Sequence, residues 1–493
     1  MKTKITISII LMAFLLVMAG CEDFLQKDPQ GELTQEAFPV TGSDALLATN
    51  AVYSTIRNWS YHSGGFPIMD IMSDDAHKGS NPNDQLPTIG PYDNFTYTTT
   101  QDGLDRWWSS LYEGIKRANV VLEKVPLIAM DTELRNQCVA EASFLRGLYY
   151  FDLVRAFGGV PKVTVTIPPT KVPRSTAAEI YDLIIADLEY AIINLPEKSA
   201  YSPDDAGRAT MGAAKSLLAK VYLFRKDFIN AEKYALEVII SDEYELEPLF
   251  ADANGKLGEH GVESVFEVGA MEVDGAGGNQ YANTQGVRGS PNRGWGFNRP
   301  SLDLRASFEA GDPRLDATII DLGETIDGVL ILGDGTTPDE TLDEFGNVIE
   351  VECYNQKVWY PGNNTTTQWG HNRRLIRYAD VLLIAAEALN ENNKPADALL
   401  YLNEVRRRAR QGDSSILPDI TETGKSALRD IIIEERRSEL ALEGHRFWDL
   451  VRTDKAAQVL GPLGFVAGKH ELFPIPQNEI DISQGSLEQN PNW

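Results

Sequence analysis

Cysteine is scarce in this chain: three residues in 493, at positions 21, 138 and 353. Disulfide-stapled scaffolds are short and dense in cysteine, so that class is excluded. Long hydrophobic runs are equally scarce. One apolar run stands out, at residues 5–17, and it is shorter than the roughly 20 residues that a membrane-spanning helix needs. No later segment comes close, so no bilayer-spanning helix is predicted. Positive charge is in deficit, with 45 Lys and Arg against 72 Asp and Glu and a net charge of −27. Such a surface repels a polyphosphate, which argues against a nucleic-acid partner. The six histidines, at 62, 77, 260, 371, 445 and 470, are scattered and show no zinc-ligand spacing. Catalytic motifs are missing too. The Gly-Lys-Ser at 424–426 has Asp419 where a phosphate loop requires glycine, and the Gly-rich stretch at 275–286 has no strand before it. No Gly-x-Ser-x-Gly elbow occurs.

The N-terminus reads as an export signal. Lys2 and Lys4 precede the apolar run, and small residues follow it at Ala19-Gly20. Cys21 stands directly behind Met18-Ala19-Gly20, which resembles a bacterial lipobox with Met in place of the usual Leu. Residues 1–20 are therefore read as a lipoprotein signal peptide and Cys21 as the lipidation site. Pairing of Cys138 with Cys353 and two free buried thiols both stay open, because sequence does not fix the geometry.

Helical periodicity dominates both ends of the chain. Apolar residues recur at spacings of three and four from Asp44, Arg106, Glu133, Ala177, Gly212 and Phe228, and again from Arg377, Ala396 and Ala427. Two helix pairs repeat a pattern. Ala219 and Tyr222 precede Ala231 and Ala235, while Ala386 and Leu389 precede Ala398 and Leu402. Small residues in that phase let antiparallel helices approach, as in tetratricopeptide repeats. Between about Phe250 and Trp369 the chain is rich in Gly, Asn, Pro and Thr with interspersed aromatics, so loops with a few short strands are predicted. Four acids, Asp70, Asp74, Asp75 and Asp84, are candidates for a structural calcium site, although their spacing is not that of an EF-hand. No other cofactor is expected.

These segments, read in order, carry a family resemblance. They are CEDFLQKDPQGELTQEAF, LYEGIKRANVVLEKV, AEASFLRGLYYFDLVRAFGGVPKV, GRATMGAAKSLLAKVYL, FEAGDPRLDATI, RLIRYADVLLIAAEALN, LNEVRRRAR, EERRSELALEGHRFWDLVR and LFPIPQNEIDISQGSLEQNPNW. The series runs from Cys21 to Trp493 and resembles the SusD/RagB family of Bacteroidetes outer-membrane lipoproteins. The resemblance implies a mainly α fold, a tetratricopeptide-like helix-pair array with a loop-rich ligand-binding part. It implies one domain over 21–493, with the helical scaffold at about 40–250 and 373–460 and the insert at about 250–372. It implies a non-enzymatic protein held by lipid on the outer face of the outer membrane. It also implies an oligosaccharide or polysaccharide ligand and a SusC-like TonB-dependent transporter as partner. Glu22-Asp23 resembles the family's acidic surface-export signal.

Sugar rings stack their C–H faces on aromatic side chains and need amides, carboxylates or Arg for their hydroxyls. On that chemistry the candidate ligand residues are Trp107, Trp295, Tyr281 with Asn283, Trp369 with Asn364, and Tyr92 with Asn94. Trp108 lies on the apolar stripe with Leu111 and Ile115 and is assigned to the core. Arg146, Asp152, Arg155, Glu434, Glu435, Arg436, Arg437, Glu439 and Arg446 are read as ion pairs that fix helix packing. A surface glycoside hydrolase, which needs two carboxylates across a cleft, and a scaffold without a small ligand are the alternative readings. The glycan itself is left open.

Overall fold

The structure is a computed structural model, and it describes residues 38–62, 70–271, 280–360 and 370–493. Helices form where the three-and-four periodicity predicts them. Before the irregular middle come α1 (Gly42–Ile56), α2 (Asp102–Lys124), α3 (Thr132–Phe157), α4 (Ala177–Asn194), α5 (Met211–Phe224) and α6 (Phe228–Ile240). After it come α7 (Tyr378–Glu391), α8 (Pro395–Ala409), α9 (Lys425–Leu440) and α10 (Arg446–Arg452). The starts are chemically marked. Thr41 and Thr176 form capping boxes with Asp44 and Glu179, and Asp131, Thr210 and Asp227 accept from the first free backbone N–H groups.

Each helix from α2 to α8 packs on the next, including α6 on α7 across the irregular middle, so the array is continuous in space. The small residues of the repeated pattern lie inside it. Ala219, Ala231 and Ala235 are fully buried between α5 and α6, where Tyr222 and Tyr234 stack with centroids 5.8 Å apart. Ala386, Ala398 and Leu402 are buried in the same way between α7 and α8. At Gly114 in α2 a Cβ would stand 2.5 Å from the Tyr149 ring of α3, so only glycine permits that approach.

Six short strands matter to the arrangement: β1 (Ala76–Gly79), β2 (Ser264–Val268), β3 (Phe297–Pro300), β4 (Ile319–Asp321), β5 (Cys353–Asn355) and β6 (Arg373–Arg377). They pair antiparallel as β1–β3, β2–β6 and β4–β5. The β2–β6 pair brings the two ends of the loop-rich stretch together.

The last helical pattern, expected to run on from Ala427, breaks between α9 and α10. Leu442 and Gly444 take positive φ values of 60° and 81° there. The break turns Glu443 inward onto Arg377 and Lys357, at 2.8 and 2.7 Å. Burial alone would raise that carboxyl, but the two cations outweigh it and hold Glu443 well below the ordinary carboxylate value. Glu443 belongs to a larger buried network. Glu439 meets Arg377 at 3.1 Å and Arg408 at 2.5 Å, while Glu435 meets Arg314 and Arg406 at 2.7 and 2.6 Å. Buried charges persist only when matched in this way. Further back, Arg146 pairs with Asp187 and Arg155 with Asp152, at 2.7 and 2.6 Å. Glu434 differs from the rest in being largely exposed. Cys138 and Cys353 are buried free thiols. Among the described residues, no helix is long and apolar enough to cross a membrane.

Candidate functional site

The β1–β3 pair sets Gly79 opposite Phe297 and so joins two loops, the one after β1 and the one before β3. They meet closely. Gly79 has φ +69°, and a Cβ on it would lie 2.5 Å from the Gly296 carbonyl oxygen, which accepts from the Ser80 N–H. Glycine is needed here for both reasons. Between these loops and the neighbouring end of α2 lies a cleft of about 430 Å³, a size typical of small-ligand sites.

Its apolar lining is aromatic: Trp59, Tyr92, Trp295 and Phe297, with Ile89. Trp59 and Trp295 are 37% and 36% exposed, more than any other described tryptophan, and both are in this cleft. The Trp59 indole and the Trp295 backbone are each held in place. The Arg106 guanidinium lies 4.7 Å from the Trp59 ring centroid, and Arg106 is paired with Asp102 one helical turn earlier. The Trp295 backbone N–H donates to the Asn283 carbonyl at 2.8 Å. Tyr92 is a floor residue, buried and stacked on Tyr97 with centroids 5.3 Å apart.

The polar lining comes from Asp84, Gln85, Thr88, Asp102, Thr284 and the two arginines. Arg288 donates to Asp334 at 2.7 Å and Ser80 at 2.8 Å, and is also paired with Asp84. The Thr88 hydroxyl donates to the Gln85 side-chain carbonyl at 2.6 Å. Aromatic faces beside fixed hydroxyl, amide and carboxylate groups can stack on a sugar ring and bond its hydroxyls.

The structure brings together only part of the candidate set. Trp295 and Tyr92 line the cleft. Trp107 is corrected: it is 1% exposed, against Phe157 of α3 and Phe473 of the C-terminal segment. That segment covers a second face of α2, so the residue off the first apolar stripe is buried as fully as Trp108. Tyr281 is also buried, stacked on His371 at 5.8 Å. Asn283 is buried with its amide on the Gln280 side chain, and its backbone supports Trp295. Asn94 is exposed away from the cleft and accepts from Thr96 at 2.6 Å. Trp369, Asn364 and Cys21 lie outside the described residues.

Of the four acids considered for calcium, Asp74 and Asp75 share Arg437, and each of the four has protein partners. Asp74 and Asp75 pair with Arg446 and Arg437, Asp70 accepts from the Gly444 N–H and Asn298, and Asp84 holds Arg288. Among the described residues, no group of three or more His, Cys, Asp or Glu side chains is placed to hold a metal. Sequence reasoning missed Trp59, Arg106, Arg288 and Phe297. Trp59 alone carried a signal, an aromatic at the polar end of a helical pattern.

Fold and cleft together define a helical-repeat protein whose loops, with the start of α2, form a cleft of small-ligand size. Comparison with known proteins narrows that class. Residues 262–464 match the SusD family, and residues 68–223 match a family described as "Starch-binding associating with outer membrane". The chain is 31% identical to SusD-like protein P2 of Formosa agariphila, over 100% of both chains. It belongs to the SusD family. Among solved structures, a laminarin binding SusD-like protein is 30% identical with a TM-score of 0.78, covering 92% of this chain and 100% of that one. Surface glycan-binding protein A from Bacteroides thetaiotaomicron, in complex with laminarihexaose, is 26% identical with a TM-score of 0.76 over 92% of this chain and 100% of that one.

Proposed function

We propose that this protein is a non-catalytic, cell-surface glycan-binding lipoprotein that captures an oligosaccharide in the Trp59–Trp295 cleft. It delivers the ligand to a SusC-like TonB-dependent transporter, with Cys21 as the lipid anchor on the outer face of the outer membrane. The observation that carries the reading is the placement of the two most exposed described tryptophans in one cleft beside fixed polar groups. The relatives described as binding laminarin or laminarihexaose support a glycan ligand.

The hydrolase reading is less well supported. A glycoside hydrolase needs two carboxyl groups turned to the glycosidic bond. Both cleft-lining carboxylates, Asp84 and Asp102, are instead paired with arginines.

Native gels cast with a panel of polysaccharides test the reading, with product analysis on the same glycans. Retarded migration on at least one glycan, recovered at unchanged length, is expected. Free migration throughout, or shortened products, would contradict it.

A further inference from the structure

Resting on the glycan reading, the cleft's charges say more about its ligand. Among the described residues, the cations Arg106, Arg288 and Lys78 stand at or beside it, each with a carboxylate or carbonyl partner. Arg106 is paired with Asp102. Arg288 is shared between Asp84 and Asp334. Lys78, whose ammonium lies 5.6 Å from the Phe297 ring, gives hydrogen bonds to the carbonyl oxygens of Gly79, Asn81 and Asp84 at 2.8, 3.1 and 3.1 Å. Three bonds use all the donors that a lysine has.

Asp334 accepts from the backbone N–H groups of Thr336 and Thr337 at 2.8 and 2.6 Å in addition to Arg288. Three positive charges are thus balanced by three negative ones within a chain of net charge −27. A site for uronate or sulfate groups needs arginine forks turned to the ligand. Here each arginine is already paired with a wall carboxylate, Arg288 through Nε and Nη1 and Arg106 through Nη1. What remains is stacking surface, hydroxyl and amide, with carboxylate oxygens that accept from sugar hydroxyls and repel anions.

We infer that the cleft selects uncharged oligosaccharides and rejects uronate-bearing or sulfated ones, with Asp84 and Asp102 as the residues that set the preference. Titration calorimetry against neutral hexasaccharides (laminari-, malto-, manno- and xylohexaose) and anionic ones (hexagalacturonate and a carrageenan hexasaccharide) tests this, at low salt and at about 0.5 M NaCl. The expected result is that at least one neutral sugar binds about tenfold or more tighter than either anionic sugar. Its affinity should not change with salt.

An anionic sugar that binds tighter than every neutral one, and weakens with salt, would overturn the inference while leaving glycan capture standing. No binding to any of the six would instead overturn the glycan reading and this inference with it. Asp102→Asn, which leaves Arg106 without its carboxylate, and Asp84→Asn, which removes one of the two carboxylates on Arg288, should each shift the neutral-to-anionic ratio toward the anionic sugars, by about tenfold for Asp102→Asn. An unchanged ratio in both variants would overturn the role given to these two acids.

Discussion

The guanidinium of Arg106 lies over the Trp59 indole, 4.7 Å from its centroid, while the same group is ion-paired with Asp102. The pair braces an otherwise exposed indole, so the ligand meets a platform that has already lost its rotamer freedom. Arg106→Ala should lower glycan affinity about three- to tenfold, since a cation–π contact is worth about 0.5–1 kcal/mol at exposed sites and more when desolvated. Arg106→Lys should restore little of it, because an ammonium does not stack as a planar guanidinium does. Calorimetry on the three proteins checks both statements.

Trp107 should behave as a core residue. Trp107→Ala is expected to cost about 3–5 kcal/mol of stability in denaturant unfolding, the usual loss for a large buried aromatic. Trp107→Phe should keep the fold and the full glycan affinity. A selective loss of affinity in the Phe variant would return Trp107 to the site.

The buried ion network makes a sharper claim on stability. Glu439→Ala takes away a carboxylate shared by Arg377, Arg408 and Arg314, leaving Glu263 as the one acid that still bridges Arg377 and Arg408. Removing one member of a buried pair costs about 3–5 kcal/mol. Chemical denaturation should show a loss of that size. A change below about 1 kcal/mol would mean that water or neighbouring acids compensate the arginines.

Asp70 gives the fold a pH dependence opposite to that of the paired acids. Burial first, and then the charge of Asp75, push its carboxyl from 3.8 up to about 7. Between those two values the folded chain holds a proton that the unfolded chain has released. The stability contributed by this group therefore falls as pH rises through that window and is lowest above it. Asp70→Asn should remove this part of the dependence. Unfolding free energies measured across the window should decline less with rising pH in the variant than in the wild type.

Much of the scaffold was legible in the sequence, because helical periodicity and capping residues are local signals. Ala219, Ala231 and Ala235 announced their burial by phase alone. The site was less legible because its partners are distant in the chain. Trp107 looked free on its own helix, and Phe157 of α3 with Phe473 of the C-terminal segment shows why it is buried. Trp59 gained its role from Arg106, and Arg288 from Asp84 and Asp334, relationships that the loops create on folding. The break before α10 was hidden for the same reason. Its purpose is to place Glu443 on Arg377 and Lys357, which lie well upstream.

The most direct test of the central claim is calorimetric titration of the wild type and of the Trp59→Ala/Trp295→Ala double variant with the best-retained glycan from the gel panel. Thermal unfolding is recorded in parallel. Aromatic anchors in binding sites contribute about 2 kcal/mol or more each, so the double variant should lose on the order of 1,000-fold in affinity. Its unfolding midpoint should stay near that of the wild type, because both indoles are exposed at the cleft rather than set in the core. Undiminished affinity in a folded double variant would contradict the placement of glycan capture in this cleft.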